Sequence, residues 1–244
     1  SPLSYVYRMT TLLRRMGALL AVVSLLLLSA CTKYNFIDTG LAQAEYPGTM
    51  WAYFEAHPYD WSMTVRLAKR IGLQSTFEGT STYGKQITYF GITNHSWRRY
   101  LLKAYADKIE EGGGDGQAAA NALTEEQVLG LLDQLDESTA KTFILNGILP
   151  NQALPLEGFV SGRASTDQNN PIGTGGKTYT MASGKELWIY SFRTAFNGVP
   201  GTGPEQLFLV SSSTAITSYV ASHNIRTTTG IVHALQYNFR PTDF

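Results

Sequence analysis

Gln86-Ile87-Thr88-Tyr89-Phe90-Gly91-Ile92-Thr93-Asn94-His95-Ser96-Trp97 holds two kinds of local structure in one stretch. Residues 86–93 are rich in β-branched and aromatic side chains, so they predict a strand. Asn94 then caps a helix with Trp97, Leu101 and Tyr105 on one face and Ile109 further along. The side chains of Thr93 and Asn94 can both accept from the free N–H groups of its first turn. Gly112-Gly113-Gly114 ends that helix.

Helical spacing continues on both sides of this stretch. Met63, Leu67 and Ile71 recur every four residues between a cap at Asp60 or Ser62 and a stop at Gly72, which predicts a helix over 61–71. A short helix over 51–55 is packed by Trp51 and Phe54. Thr124-Glu125-Glu126-Gln127 matches a capping box, followed by Val128, Leu131, Leu132 and Leu135. A further short helix covers 138–145. Residues 112–121 read as a mobile Gly/Ala-rich insertion, and 158–176 as a second insertion.

After Pro150 the texture changes. Strands are expected over 179–181, 187–192, 206–210 and 231–239, with one helix over 214–222. Helices crowd the first half and strands the second without βαβ alternation. The predicted class is α+β: one domain over 51–244, helices mainly in the first half around a twisted, antiparallel-rich β core.

The N-terminal region has its own logic. Arg14 and Arg15 precede an apolar run over 16–28, then Ser29 and Ala30, the layout of a secretory signal. The run is shorter than the roughly 20 residues a bilayer span requires. Leu28-Ser29-Ala30-Cys31 resembles the lipobox of bacterial lipoproteins. The resemblance implies removal of 1–30, lipidation of Cys31, and a tether over 31–50. The alternative is an ordinary signal peptide ending at a free cysteine. Met9 is a candidate start, with 1–8 an extension. Thr32, rather than aspartate, follows the cysteine, which points to the outer membrane of a Gram-negative bacterium, on its surface or its periplasmic face.

Composition narrows the partners. Removing 1–30 takes three arginines from 19 basic side chains and none from 19 acidic ones, a net charge of 16 minus 19, or about −3. Nucleic-acid binding would need a basic face, so no nucleic-acid partner is expected. No polybasic second anchor is present either, and the lipid on Cys31 must hold the protein at the membrane. The single cysteine allows no internal disulfide.

Three segments, in order, resemble the fasciclin-like domain. Residues 87–97, quoted above, are similar to that family's TVFAPTNEAF. Leu145-Asn146-Gly147-Ile148-Leu149-Pro150 stands at the place of its YHVLPG. Asn224-Ile225-Arg226-Thr227-Thr228-Thr229-Gly230-Ile231-Val232-His233-Ala234-Leu235 is similar to its DIxxxNGVVHVID. Arg70-Ile71-Gly72-Leu73 also resembles the end of its opening helix. The resemblance implies a fasciclin-like fold and work at cell surfaces. Its motif residues here are Thr93, Asn94, Asn224, Ile225, Gly230 and His233, all with mainly architectural roles. Gly230 stands where a turn feeds the last strand, a place for positive φ. His233 alternates with Val232 and Ala234, so it points inward and is hydrogen-bonded, the favoured reading, or faces solvent. The family's Tyr-His pair, discussed as an adhesion determinant, is Asn146-Gly147 here, so adhesion through that pair does not carry over.

No catalytic, cofactor or metal residue is assigned. Gly173-Thr174-Gly175-Gly176-Lys177-Thr178 resembles the end of a phosphate-binding loop, but Pro171 replaces the required glycine and a strand-like segment follows. Gly79-Thr80-Ser81-Thr82-Tyr83 lacks the last glycine of a nucleophile elbow. His57, His95, His223 and His233 are scattered, without zinc-site spacing. Asp133, Asp136 and Glu137 read as a solvated helix face. The aromatics Trp51, Tyr53, Phe54, Tyr59 and Trp61 read as packing, or as a sugar-binding cluster. The function expected is non-enzymatic adhesion or recognition of a protein or glycan, through the loops 112–121 and 158–176. The alternative is an accessory lipoprotein subunit of an outer-membrane glycan-uptake complex.

Overall fold

A computed structural model describes residues 45–244. The expected signal peptide, Cys31 and most of the expected tether lie outside the described residues. Among the described residues seven helices come first: α1 (Met50–Ala56), α2 (Pro58–Ile71), α3 (Gln74–Phe77), α4 (Asn94–Glu111), α5 (Gly116–Asn121), α6 (Glu125–Asp133) and α7 (Glu137–Leu145). Strand β1 (Ile87–Gly91) lies among them, and β2 (Ile148–Leu149) follows. Then come β3 (Gly162–Arg163), β4 (Thr174–Gly175), β5 (Lys177–Thr180), β6 (Glu186–Arg193), β7 (Glu205–Ser211), β8 (Ile216–Thr227) and β9 (Gly230–Leu235). The fold is α+β.

Seven strands form one sheet in the order β2-β1-β9-β8-β7-β6-β5, and β3 pairs with β4 in a separate hairpin. Only β1 and β9 run parallel; the other neighbours are antiparallel. Just past β5, the Ala182 N–H donates to the Ile148 carbonyl in β2 at 2.8 Å. That bond ties the two edges together, so the sheet nearly closes on itself.

Helix α2 buries Trp61, Met63, Leu67 and Ile71, as their spacing requires, and packs against α4, α6 and α7. Trp51, Phe54 and Trp61 are all buried. Phe54 lies 4.8 Å from the Trp61 ring and 5.1 Å from Phe77, and Phe77 lies 5.0 Å from Tyr89. These rings pack the first two helices onto β1, leaving Tyr59 alone at the surface. The cluster is core rather than a sugar platform.

Tyr89 is fully buried, yet its hydroxyl makes no hydrogen bond. Burial raises its pKa, against smaller opposing pulls from the Ile92 backbone and Thr64. An unsatisfied buried polar group costs about 1–3 kcal/mol. Tyr89→Phe should therefore leave stability unchanged or raise it, and a melting temperature lowered by several degrees would show that the hydroxyl is satisfied in solution.

Three expectations need correction. Residues 216–227 form β8 rather than part of a helix over 214–222. Ala215 turns the chain with φ 57, and the residues that follow include the β-branched and aromatic Ile216, Thr217, Tyr219 and Val220, which suit a strand. The 112–121 segment contains α5, capped by Asp115 on the Ala118 N–H at 3.0 Å and packed on α4. Alanine is the best helix former, so a capped Gly-Gln-Ala-Ala-Ala-Asn run becomes scaffold instead of a mobile loop. Domain contacts also start ahead of Trp51: the Tyr46 N–H donates to the Arg226 carbonyl at 2.8 Å, and Gly48 accepts from Thr228 at 2.9 Å.

Candidate recognition surface

The motif residues come together as architecture. β1, β2 and β9, each carrying one of the three separated motifs, are adjacent strands of the sheet. Thr93 takes the N-cap position of α4, but its side chain makes no capping bond. Asn94 also departs from the expected role. Its Oδ1 accepts from the Met63 N–H at 2.8 Å, and its amide donates to the Pro58 and Tyr59 carbonyls at 2.9 and 2.8 Å. It fastens the start of α4 to the N-terminal half of α2 through backbone groups of Pro58, Tyr59 and Met63.

His233 points inward and is fully buried. Its Nδ1 accepts from the Asn224 N–H at 3.2 Å, and its Nε2 lies 2.8 Å from the Leu154 carbonyl. A carbonyl can only accept, so the proton sits on Nε2 and the ring is neutral. Phe90 stacks on it at 5.4 Å. Burial pushes its pKa down to about 3, only partly opposed by the Leu154 carbonyl.

Asn224 holds a left-handed backbone, φ 60, and accepts from the Leu156 N–H at 2.7 Å. Its amide donates to Glu157, which also pairs with Arg226 at 2.8 Å. Burial raises the Glu157 pKa. Its own backbone N–H, Asn224 and Arg226 together outweigh that and hold it below the usual range. Ile225 is partly buried against the core and lies opposite Val232. All of these side chains serve the junction between β8, β9 and the 154–157 segment.

Asn146 and Gly147 are both buried. A Cβ at Gly147 would lie 2.4 Å from the Phe90 carbonyl oxygen, so no larger residue fits. This pair presents no side chain for adhesion.

Other candidates resolve similarly. Asp133 accepts from Arg66 at 2.8 and 2.6 Å, and the guanidinium holds its carboxyl below the usual range. Asp136 caps α7 on the Thr139 N–H at 2.9 Å. The glycine-rich stretch at 173–178 passes from β4 into β5 with no helix, unlike a phosphate-binding loop. No three His, Cys, Asp or Glu side chains are placed to hold a metal ion among the described residues. No helix among them is long and apolar enough to cross a membrane.

The 158–176 segment remains as the candidate for recognition. Its hairpin β3–β4 is pinned to β6: Ser191 N–H donates to Val160 at 3.1 Å, and Trp188 Nε1 donates to Gly175 at 3.0 Å. Beneath it, Trp188 and Tyr190 lie 4.5 Å apart, with Phe208 stacked on Tyr190 at 5.1 Å. Rings i, i+2 on one strand share a face, which places this ladder on the outer side of the sheet.

Two clefts flank the hairpin. One, about 420 Å³, lies between the 164–171 loop and Trp188, Tyr190 and Thr217. The other, about 460 Å³, is lined by Ser161, Arg163, Thr174, Phe192, Arg193 and Glu205. Val160 (47% exposed), Phe192 (37%), Phe196 (59%) and Val199 (53%) surround the end of β6. These are four of the seven exposed large apolar residues among the described ones. Sequence reading named the loop but missed Arg193, Phe192 and Phe196. A cluster on two strands and a turn has no sequence period.

No family profile and no curated protein matches this chain. Among solved structures it is similar to a FAS1 domain pair from the insect cell adhesion molecule Fasciclin I, at 14% identity and a TM-score of 0.49. The match covers 80% of this chain and 51% of that one, so this chain spans about half the length of the pair.

Proposed function

We propose that this is a lipid-anchored cell-envelope protein whose fasciclin-like domain recognises a partner without catalysis. Among the described residues, four of the seven exposed large apolar side chains lie around the end of β6, where Phe192 lines the 460 Å³ cleft, and this observation carries the reading. Buried motif residues are committed to holding the fold, so recognition falls to this outer face. Clefts of this size suit a compact ligand group. The motif order supports the fasciclin-like assignment, because its three segments build adjacent strands.

Anchoring through Cys31 rests on the lipobox-like Leu28-Ser29-Ala30-Cys31. One acyl chain gives only marginal binding, at about 0.8 kcal/mol per buried methylene, so a bacterial lipoprotein's two or three chains are needed. Cys31→Ala should move the protein from the membrane pellet to the soluble fraction. Retention in the pellet after a high-salt wash would reject the anchor. Recognition itself is tested by pull-down from solubilised outer membranes and by attachment of a deletion strain. A stable transporter partner would assign the accessory-subunit role, and lost attachment would assign adhesion. Unchanged attachment with no captured partner would overturn recognition.

A further inference from the structure

We propose that the 460 Å³ cleft at the end of β6 binds an acidic sugar, a pyranose ring bearing a carboxylate. This rests on the recognition reading above and names its ligand. Two arginines line it from paired backbone, Arg163 on β3 and Arg193 on β6. Arg193 stands opposite Glu205 in the register and lies 3.7 Å from its carboxylate. Among the described residues, Arg163 has no carboxylate within ion-pair distance. The three charged groups therefore leave one positive charge in excess, on the arginine that has no acidic partner.

A guanidinium offers a planar fork of donors that matches a carboxylate in two parallel hydrogen bonds. That fixes the acidic group of the ligand. The rest of the cleft describes what carries it. Phe192, 37% exposed, also lines the cleft, and the apolar face of a pyranose can lie on an exposed aromatic ring. Ser161 and Thr174 add hydroxyl groups to the lining, suited to sugar hydroxyls. A peptide of acidic residues alone would satisfy Arg163 but has no ring to set against Phe192.

The lining strands are held in place before any ligand arrives. Gly176 N–H donates to the Ser161 carbonyl at 2.8 Å, Ser191 N–H donates to Val160, and Trp188 closes on Gly175. Groups mounted on such pinned strands lose little backbone freedom on binding. Both arginine side chains are exposed, so the attraction should weaken with salt.

The test is calorimetric titration of the full lipidated chain in detergent with a galacturonate tetramer, a neutral galactose tetramer and a glutamate tetramer. The galacturonate tetramer should bind, more weakly at higher salt, and the other two should not. Arg163→Gln should weaken binding about tenfold or more, the effect of losing a charged hydrogen-bonded contact. Arg163→Lys should fall between, keeping the charge but losing the fork. Lys185→Gln, in the turn before β6, should leave binding unchanged.

Equal binding of the galactose tetramer would overturn the acidic assignment, and equal binding of the glutamate tetramer would show a peptide site instead. No binding by any of the three, or an Arg163→Gln variant that binds normally, would also overturn it. An unchanged melting temperature for each variant separates lost binding from lost fold. Pull-down and attachment are independent of these titrations, so a wrong ligand class is distinguishable from a failed recognition reading.

Discussion

Gly230→Val should cost the domain a large share of its stability and lower its melting temperature by many degrees. Gly230 begins β9 with φ 141, a conformation that L side chains rarely adopt. A Cβ there would sit 1.9 Å from the Ile87 carbonyl oxygen and 2.9 Å from the Ile87 nitrogen. Both atoms belong to β1, held in parallel register opposite Gly230, so neither can yield without breaking the β1–β9 pairing. The preceding turn is equally fixed. Thr229 Oγ1 donates to Phe77, accepts from the Met50 N–H, and the Thr229 carbonyl accepts from Ile87 N–H. Backbone strain costs about 1–3 kcal/mol and forced overpacking a further 1–3. Their sum, about 4 kcal/mol, is a large share of the 5–15 kcal/mol that typically holds a domain together. Alanine carries the same Cβ, so Gly230→Ala should be nearly as damaging. Soluble yield and thermal melting by circular dichroism read the effect. A valine variant with the parent melting temperature would contradict the turn geometry.

The positions that sequence reasoning placed correctly are those whose role is local. Gly230 was recognisable as a positive-φ turn, and the Thr124 capping box and the β1-to-α4 junction follow from neighbouring residues. Asn94 shows where local reading stops. It has the chemistry of a cap and stands in the first turn of its helix, but its partners are 31–36 residues away on α2. No spacing rule reveals that. β8 was misread for a related reason: its β-bulges break the alternation at Val220–Ser222 and Ser222–Ile225, and its opening turn uses Ala215, not glycine. The candidate recognition surface was the least legible. Arg163 and Arg193 stand in separate strands, and only the pairing of Ser161 with Ser191 brings them to one cleft. His233 was readable as an inward, hydrogen-bonded residue from its alternation, though its partners Leu154 and Asn224 were not.

Those partners make the domain acid-labile above the range where its carboxylates titrate. An unfolded chain protonates histidine near pH 6.5, whereas His233 in the fold takes up a proton only near pH 3. The unfolded state therefore binds more protons between these values, and stability falls as pH drops through that window. Above pH 6.5 both states are neutral and the contribution is fully present. One pKa unit corresponds to about 1.4 kcal/mol, so moving from pH 7.5 to 4.5 should remove roughly 2–3 kcal/mol. Protonation would place a donor on Nδ1 facing the Asn224 N–H donor, so the bond would be lost along with the favourable neutral burial. His223, Arg226 and Glu157 surround the ring. The first two oppose a positive charge there, while Glu157 favours it too weakly to reverse the shift. Glu157, Asp133 and Asp136 have lowered pKa values, so their own losses come mainly below pH 4. Urea unfolding at pH 7.5, 6 and 4.5 reads the slope directly. His233→Gln should be less stable at pH 7.5, because glutamine does not match both backbone partners, and should lose most of the pH dependence. A denaturation midpoint unchanged between pH 7.5 and 4.5 would show that His233 carries no buried neutral ring. A slope that persists in His233→Gln would assign the acid sensitivity to another group.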